Sequence, residues 1–596
     1  MATKTTRSLA SHPVPVGDRF VKSYDGHFPP GRRSWCRKVP GCCSGVTMET
    51  GCCCAEPLWI SEALRALSVV MQSAGTPSMV WFKESSQRNL KSRDFLVPNG
   101  ALKKSFPDGK VPEELIQKLS SLNGRGVPPI QRCLQNEAGL VIQLDRTAVF
   151  HRVLSDFSPY LKHAPVASDN EPNIVILNCV PLHSWEGLNT FKLSHLRAVL
   201  VADHFAELLR LRGQKVHLIP AVHNRELLVF LQQFGVSWPS ASDALSTEEA
   251  VSHFEQYLKQ SVYSSDSDTN QKELPPSVLY NVRLKPFAEK HNLCLEGYDP
   301  NLDTFLVSKV DLTHVATLQR SIQESMDEMN YTMVHIVSCE DEFHQQKLDL
   351  LWRILDPRAR AVLQKHLICG PVKLLNPSML VSCPQYFQIR KSQMHEASVM
   401  KYGEVVQGNS WDEIINSLTS AAIHFEMMST PHRSQVTLDL EDANITTKGT
   451  KSGSFVMYNC ARLATMFESY NNAVTQGSYP TFPPSGDINY STLTEEGEWL
   501  LLFNYIMTFP EVLTHSAQIS LASPGIRVTA NTEAVCKFLV NLSMDFSSYY
   551  NRVHILGEPL PHLFQQMFAR LQLMKAIQSI LCSALGSLHI PPLTQI

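Results

Sequence analysis

No run of eighteen or more uncharged apolar residues occurs in the 596-residue chain, so no membrane-spanning helix is expected. An excess of either charge is also missing. The 53 Lys and Arg against 56 Asp and Glu leave a net charge of −3, so no global positive field draws in polyanions. A nucleic-acid partner would have to meet a local basic stripe. Glycine and proline, 27 and 36 residues, are too few for a collagen-like or low-complexity chain. The 43% hydrophobic and 18% charged residues are ordinary for folded domains. Cysteine pairs at metal-ligand spacing are absent. Cys36, Cys42, Cys43, Cys52, Cys53 and Cys54 fall in adjacent runs that do not let two thiolates grip one ion, so no metal or other cofactor is expected. The other nine cysteines are scattered singly from Cys133 to Cys582, the pattern of reduced, buried thiols. The segment Met1 to Pro40 is basic and polar without an apolar stretch, unlike a secretory signal. The expectation is a soluble, cytoplasmic protein.

Four regions follow from the patterning. Residues 1–58 mix Gly, Pro, Arg and Cys without a period and read as a disordered, Cys-rich leader. Residues 59–165 read as an N-terminal α/β region. It opens with Leu64, Leu67 and Val70 at helical spacing and later shows a strand, Leu140 to Leu144, and a helix, Thr147 to Leu154. Within it Lys83, Arg88, Lys91 and Arg93 interleave with Trp81, Phe82 and Phe95, which suits a phosphate-contacting or partner-binding surface and equally a solvated helix face.

Residues 166–440 alternate strands and helices. The apolar run Ile174 to Leu177 reads as a strand buried on both faces, and a helix from Leu193 to Arg212 ends at Gly213 before the strand Val216 to Ile219. That βαβ unit implies a parallel sheet, continued by Met333 to Val337, the helix Lys347 to Leu355, and His366 to Cys369. The polar insert Ser264 to Asn270, before Pro275 and Pro276, reads as a mobile loop. Residues 441–596 read as helices: Phe455 to Tyr470, Glu495 to Met507, Glu533 to Tyr550 and His562 to Leu588. The last carries a stripe of Phe564, Met567, Leu571, Met574, Ile577 and Leu581 that marks a bundle core.

The βαβ unit resembles the signature region of class I arginyl-tRNA synthetases. Lys192-Leu193-Ser194-His195-Leu196-Arg197 stands where that family has His-x-Gly-His-Leu-Arg, and Asp203, Ala206, Leu208, Leu209, Gly213 and Val216 follow in the same register. The C-terminal region is similar to the family's DALR anticodon-binding domain. Tyr458-Asn459-Cys460-Ala461-Arg462 looks like its Tyr-x-x-Ala-Arg helix start, and Phe509-Pro510-Glu511-Val512 like its Phe-Pro helix. Phe546 to Tyr550 and Arg570-Leu571 with Leu573 match two later segments, and Ile596 stands where the family usually ends in methionine. The implied architecture is α/β plus α: a degenerate class I synthetase-like Rossmann domain followed by an all-α DALR anticodon-binding bundle.

The departures matter as much as the matches. The resemblance assigns the first His and the Gly of the signature to ATP, stabilising phosphate charge and admitting adenine. Here they are Lys192 and Ser194, which leaves Lys192, Ser194, His195 and Arg197 as a degenerate ATP-signature remnant. The second ATP loop, a Lys-Met-Ser-Lys type sequence, has no counterpart between Lys373 and Arg390. Adenylate chemistry is therefore not expected, and His195 to Arg197 read most simply as residues that serve the fold.

The anticodon side is intact by comparison. Tyr458 and Arg462, one helical turn apart, offer a ring beside a guanidinium; Tyr550 matches the family's stacking tyrosine, and His554 stands where a tryptophan is common. With Ile596 these are the expected anticodon contacts, and Lys448, Lys451 and Arg552 are candidate phosphate contacts. The resemblance implies a non-catalytic tRNA-binding adaptor that recognises arginine tRNAs and recruits a methyltransferase forming 3-methylcytidine in the anticodon loop. No Gly-rich methyl-donor loop is evident in this chain, so that chemistry would belong to the partner. Two alternatives stand beside it: a divergent arginyl-tRNA synthetase using Lys192, and a scaffold that no longer binds RNA.

Overall fold

The computed structural model describes residues 56–73, 80–106, 108–164, 174–183, 187–241, 247–266, 277–325, 331–376, 378, 380–442, 449, 452–518 and 525–595. The leader with its six cysteines, Lys448, Lys451, Ile596 and most of the insert after Asp266 lie outside them. No helix among the described residues is long and apolar enough to cross a membrane.

At the centre is a five-stranded sheet whose recorded pairings are all parallel. Its order runs Arg527–Val528, Leu363–Cys369, Thr332–Ser338, Ile174–Cys179, Lys215–Ile219. Ile174–Cys179 and Thr332–Ser338 are buried along their whole length, as strands covered on both faces must be. The helix Leu193–Leu211 connects Ile174–Cys179 to Lys215–Ile219, and Glu342–Leu355 connects Thr332–Ser338 to Leu363–Cys369. The βαβ reading of the sequence is thus realised. The edge strand departs from it. Arg527–Val528 comes from the region read as purely helical and is held by the His366 amide, which donates to the Ile526 carbonyl at 2.8 Å.

Residues 58–161 build a four-stranded antiparallel sheet, Phe82–Lys83, Phe95–Pro98, Gly139–Leu144 and Ile130–Asn136 in spatial order, with helices Ile60–Ser73, Glu113–Ser120 and Arg146–Ser155. This layer docks on the C-terminal helices. The carboxylate of buried Asp94 accepts from the Leu144 amide and from the Trp499 indole nitrogen, both at 2.8 Å, and burial pushes its pKa up to about 6. Trp499 in turn stacks on Phe503 at 5.3 Å and meets the edge of Phe150 at 5.6 Å.

Part of the basic-aromatic segment is spent on this docking. Lys83 donates to the side-chain oxygen of Asn504 at 2.5 Å and lies 4.2 Å over the Phe503 ring, and burial lowers its pKa to about 8. Arg93 pairs with Glu84 at 2.6 Å, and Trp81 and Phe95 are buried. Of the four cations only Arg88 and Lys91 are exposed, so a phosphate-contacting surface or a solvated face made by all four is not what the structure shows. A lysine stem long enough to reach an apolar interface is indistinguishable in sequence from one that stays in solvent.

The C-terminal helices Gly453–Thr475, Phe509–Ser516, Glu533–Tyr550 and Phe564–Gly586 share one core with the helix Asn409–Met428. Glu533–Tyr550 has the bounds expected from sequence, whereas the segment 495–507 is an α-helix, Glu496–Leu501, that widens into a π-turn over Leu502–Ile506. Gly453 lies so close to Asn409–Met428 that a Cβ there would overlap the Ala421 carbonyl. Because that neighbour is backbone, Gly453→Ala is expected to cost about 1–3 kcal/mol, read from the urea midpoint at unchanged m-value.

Candidate nucleic-acid interface

Ser452 caps the helix Gly453–Thr475, its hydroxyl accepting from the Phe455 amide at 3.3 Å. The cap sets the phase that places Tyr458 and Arg462 one turn apart, both half-buried. The Arg462 guanidinium donates to the Ser547 hydroxyl at 3.2 Å and to the Asn459 side chain at 3.4 Å. It also lies 5.3 Å from the centre of the Tyr550 ring. Tyr550 leans on Phe546 at 5.6 Å. The structure therefore brings Arg462 and Tyr550, 88 positions apart in sequence, into one contact.

Tyr458 sits on the other flank. Lys401, at the end of the helix Cys383–Tyr402, holds its ammonium 4.1 Å over the Tyr458 ring, and burial pushes the Tyr458 phenol up to about 12. His554 and Arg552 are exposed beyond the end of Glu533–Tyr550. The His554 carbonyl accepts from Arg570 at 3.2 Å, and Arg552 donates to the Ser548 carbonyl at 3.1 Å. Beneath them Arg570 pairs with fully buried Glu498 at 2.8 Å, and the Tyr549 hydroxyl donates to the same carboxylate at 3.1 Å. That buried network fixes the end of the helix that presents Tyr550. Sequence reasoning missed Lys401 because it lies outside the stretch that resembles the anticodon-binding domain; its only signal is a basic residue next to Tyr402.

The signature remnant has a different fate. Arg197 is completely buried and donates to four backbone carbonyls: Met427 and Gly370 at 3.0 Å, Pro431 at 3.0 Å and Ser434 at 2.5 Å. It pins the crossing from the helix Asn409–Met428 to the strand Val436–Leu438. The Ser194 hydroxyl accepts from the Val372 amide at 3.2 Å. His195 meets Phe191 edge-on at 5.7 Å, with its pKa lowered by burial, and exposed Lys192 faces Glu340 at 3.6 Å. In the place of the second ATP loop, Ser378 donates to the Asn376 side chain at 2.8 Å and Leu380 is 95% exposed.

In the middle of two adjacent central strands, buried His335 and His366 converge with Asp349 of the helix Glu342–Leu355, their ligand atoms within 4.8 Å of one another. This trio has the donor set of a metal site. Hydrogen bonding nonetheless satisfies the carboxylate: His366 meets one oxygen at 2.5 Å and Gln345 donates to the other at 2.8 Å. With its amide turned, Gln364 donates to Asp349 and His335 and accepts from Arg353 at 3.1 Å. The Nδ1 of His366 is buried without a hydrogen-bond partner among the described residues.

The central parallel sheet with an antiparallel N-terminal layer and a helical C-terminal bundle is the fold of class I arginyl-tRNA synthetases. The arginyl-tRNA synthetase of Thermus thermophilus superposes with a TM-score of 0.54 at 16% identity, covering 90% of this chain and all of that one. The Plasmodium falciparum arginyl-tRNA synthetase superposes with a TM-score of 0.56 at 12% identity, covering 91% and all of that chain. Residues 58–160 match the DALR N-terminal domain model and residues 456–596 the DALR anticodon binding domain model. Over 556 residues the chain is 44% identical to the DALR anticodon-binding domain-containing protein 3 of Mus musculus, covering 90% of this chain and 99% of the mouse protein. Over 569 residues it is 43% identical to the same-named protein of Danio rerio, covering 91% and all of that protein. The chain belongs to the DALR anticodon-binding domain-containing protein 3 family.

Proposed function

We propose that this protein is a non-catalytic adaptor that recognises arginine tRNAs through their anticodon loop and recruits a tRNA methyltransferase for 3-methylcytidine formation there. The observation that carries the reading is the contrast between two sets of residues. Arg197, inherited with the ATP signature, is consumed by four backbone carbonyls, and Ser194 by the Val372 amide. Neither is free to handle a nucleotide. Arg462, Tyr458 and Tyr550 instead remain half-exposed, with rings and cations interleaved. Single-stranded loop bases are held by stacking on such rings and by planar, charged donors at their edges, which is what this surface offers. The recruitment of a methyltransferase rests on the family resemblance alone, and the surface that receives it is open.

The test is to isolate the protein from cells and to sequence co-purifying small RNA and identify co-purifying proteins. Enrichment of a few arginine tRNAs together with a methyltransferase is expected. Bulk tRNA, or none, would overturn tRNA selectivity, and arginine-dependent pyrophosphate exchange by the purified chain would overturn the non-catalytic reading.

A further inference from the structure

Two helices before the anticodon-binding domain, the chain carries a second aromatic station that touches the first. Lys401 and Tyr402 close the helix Cys383–Tyr402. The exposed Lys401 ammonium lies 4.1 Å over the Tyr458 ring and 4.9 Å over the Tyr402 ring, so one cation bridges the two stations. Tyr402 in turn packs on Trp411, at the start of the helix Asn409–Met428, with ring centres 5.4 Å apart. The rim is apolar and unusually open: Met400 and Val405 are each 72% exposed. On the far side of Tyr458 the series continues through Arg462 to Tyr550. Rings and cations thus alternate from Trp411 and Tyr402, through Lys401, Tyr458 and Arg462, to Tyr550, across three chain segments that sequence separates by more than 130 positions.

We propose that Lys401 and Tyr402 form an additional single-stranded-RNA subsite, taking one nucleotide next to those held at Tyr458 and Tyr550, with Lys401 on its phosphate. The proposal rests on the anticodon-loop reading above and extends it onto a helix outside the anticodon-binding domain. Continuity of the rings and the placing of the charge both favour such a subsite. A track for single-stranded nucleic acid needs successive π-faces beside cations that follow the backbone, and Lys401 supplies the cation at the junction of two faces. An exposed ammonium resting on a half-exposed ring is held by only about 0.5–2 kcal/mol, a factor of roughly 2 to 30. A phosphate arriving at the junction draws it off the Tyr458 ring, which frees that face for a base. Met400 and Val405 then border the nucleotide with apolar surface, as the edges of stacking sites do.

The experiment measures binding of an arginine tRNA, and of its isolated anticodon stem-loop, by fluorescence anisotropy from 50 to 200 mM salt. It uses the full chain and the variants Lys401→Met, Lys401→Arg, Tyr402→Ala and Tyr550→Ala. Lys401→Met is expected to lower the slope of log K against log salt by about 1, the signature of one lost phosphate contact, while Lys401→Arg retains it. Tyr402→Ala is expected to weaken binding roughly 5- to 100-fold. Lys401 is exposed, so its variants report binding rather than folding, and the thermal midpoint of every variant is recorded beside the affinity. Wild-type slope and affinity for Lys401→Met, with Tyr550→Ala still weakened, would overturn this subsite and leave the anticodon-loop reading standing. Failure of the unaltered chain to bind, or wild-type binding by Tyr550→Ala, would overturn that reading itself.

Discussion

Replacing Arg197 by methionine is expected to lower the unfolding free energy by about 2–5 kcal/mol, read from urea unfolding followed by circular dichroism. The guanidinium serves four carbonyls that lie 173 to 237 positions away in sequence. A buried acceptor left without a donor costs about 1–3 kcal/mol. Methionine fills much of the space but donates nothing, and relief from burying a cation offsets only part of the loss. Arg197→Lys is expected to recover little, because one ammonium cannot span a planar fork of carbonyls. Gly370 adds to the strictness of the site, since a Cβ there would meet the carbonyls of Arg433 and Ser434 at 2.5 Å. A catalytic role for Arg197 predicts the opposite pattern, with nucleotide chemistry lost and stability retained.

Tyr550→Ala is expected to weaken binding of an arginine tRNA by about 1–3 kcal/mol, the worth of one stacked base, with Tyr550→Phe close to the unaltered protein. Arg462→Ala should weaken it as well and should also lower the salt dependence, because it removes a charge. The two side chains touch, with the guanidinium 5.3 Å from the ring centre, so their effects should not add. A double-mutant cycle is expected to show a coupling of about 0.5 kcal/mol or more. Unchanged tRNA binding in Tyr550→Ala, in Arg462→Ala and in the double variant would remove this face from RNA recognition. Thermal midpoints are the control, since Arg462 also bonds Ser547 across two helices.

Some elements were legible because their cause is local. The helix Glu533–Tyr550 has the bounds its periodicity predicts, and the βαβ unit follows from an apolar strand, a long helix and a glycine stop. The strand Arg527–Val528 was not legible: two residues carry no period, and its place is set by Ile526, which donates to the Glu296 carbonyl at 3.0 Å and accepts from the His366 amide at 2.8 Å. Lys83 and Arg88 look alike in sequence, yet one is half-buried against Phe503 and the other is exposed. Lys401 next to Tyr402 is a weak signal, because its meaning depends on a ring 57 positions away.

The class of fold, the helical phase that puts Tyr458 and Arg462 on one face, and the departures at Lys192 and Ser194 are all readable from residue order. Each of these is a property of neighbours within a few turns of chain. That Arg197 is a structural pin, that Arg462 meets Tyr550, and that Lys83 belongs to an interface emerge only in the folded chain. The physical reason is that a polar side chain is directed by where its partner lies. When that partner is a carbonyl, a ring or a carboxylate brought in from hundreds of residues away, local pattern holds no record of it.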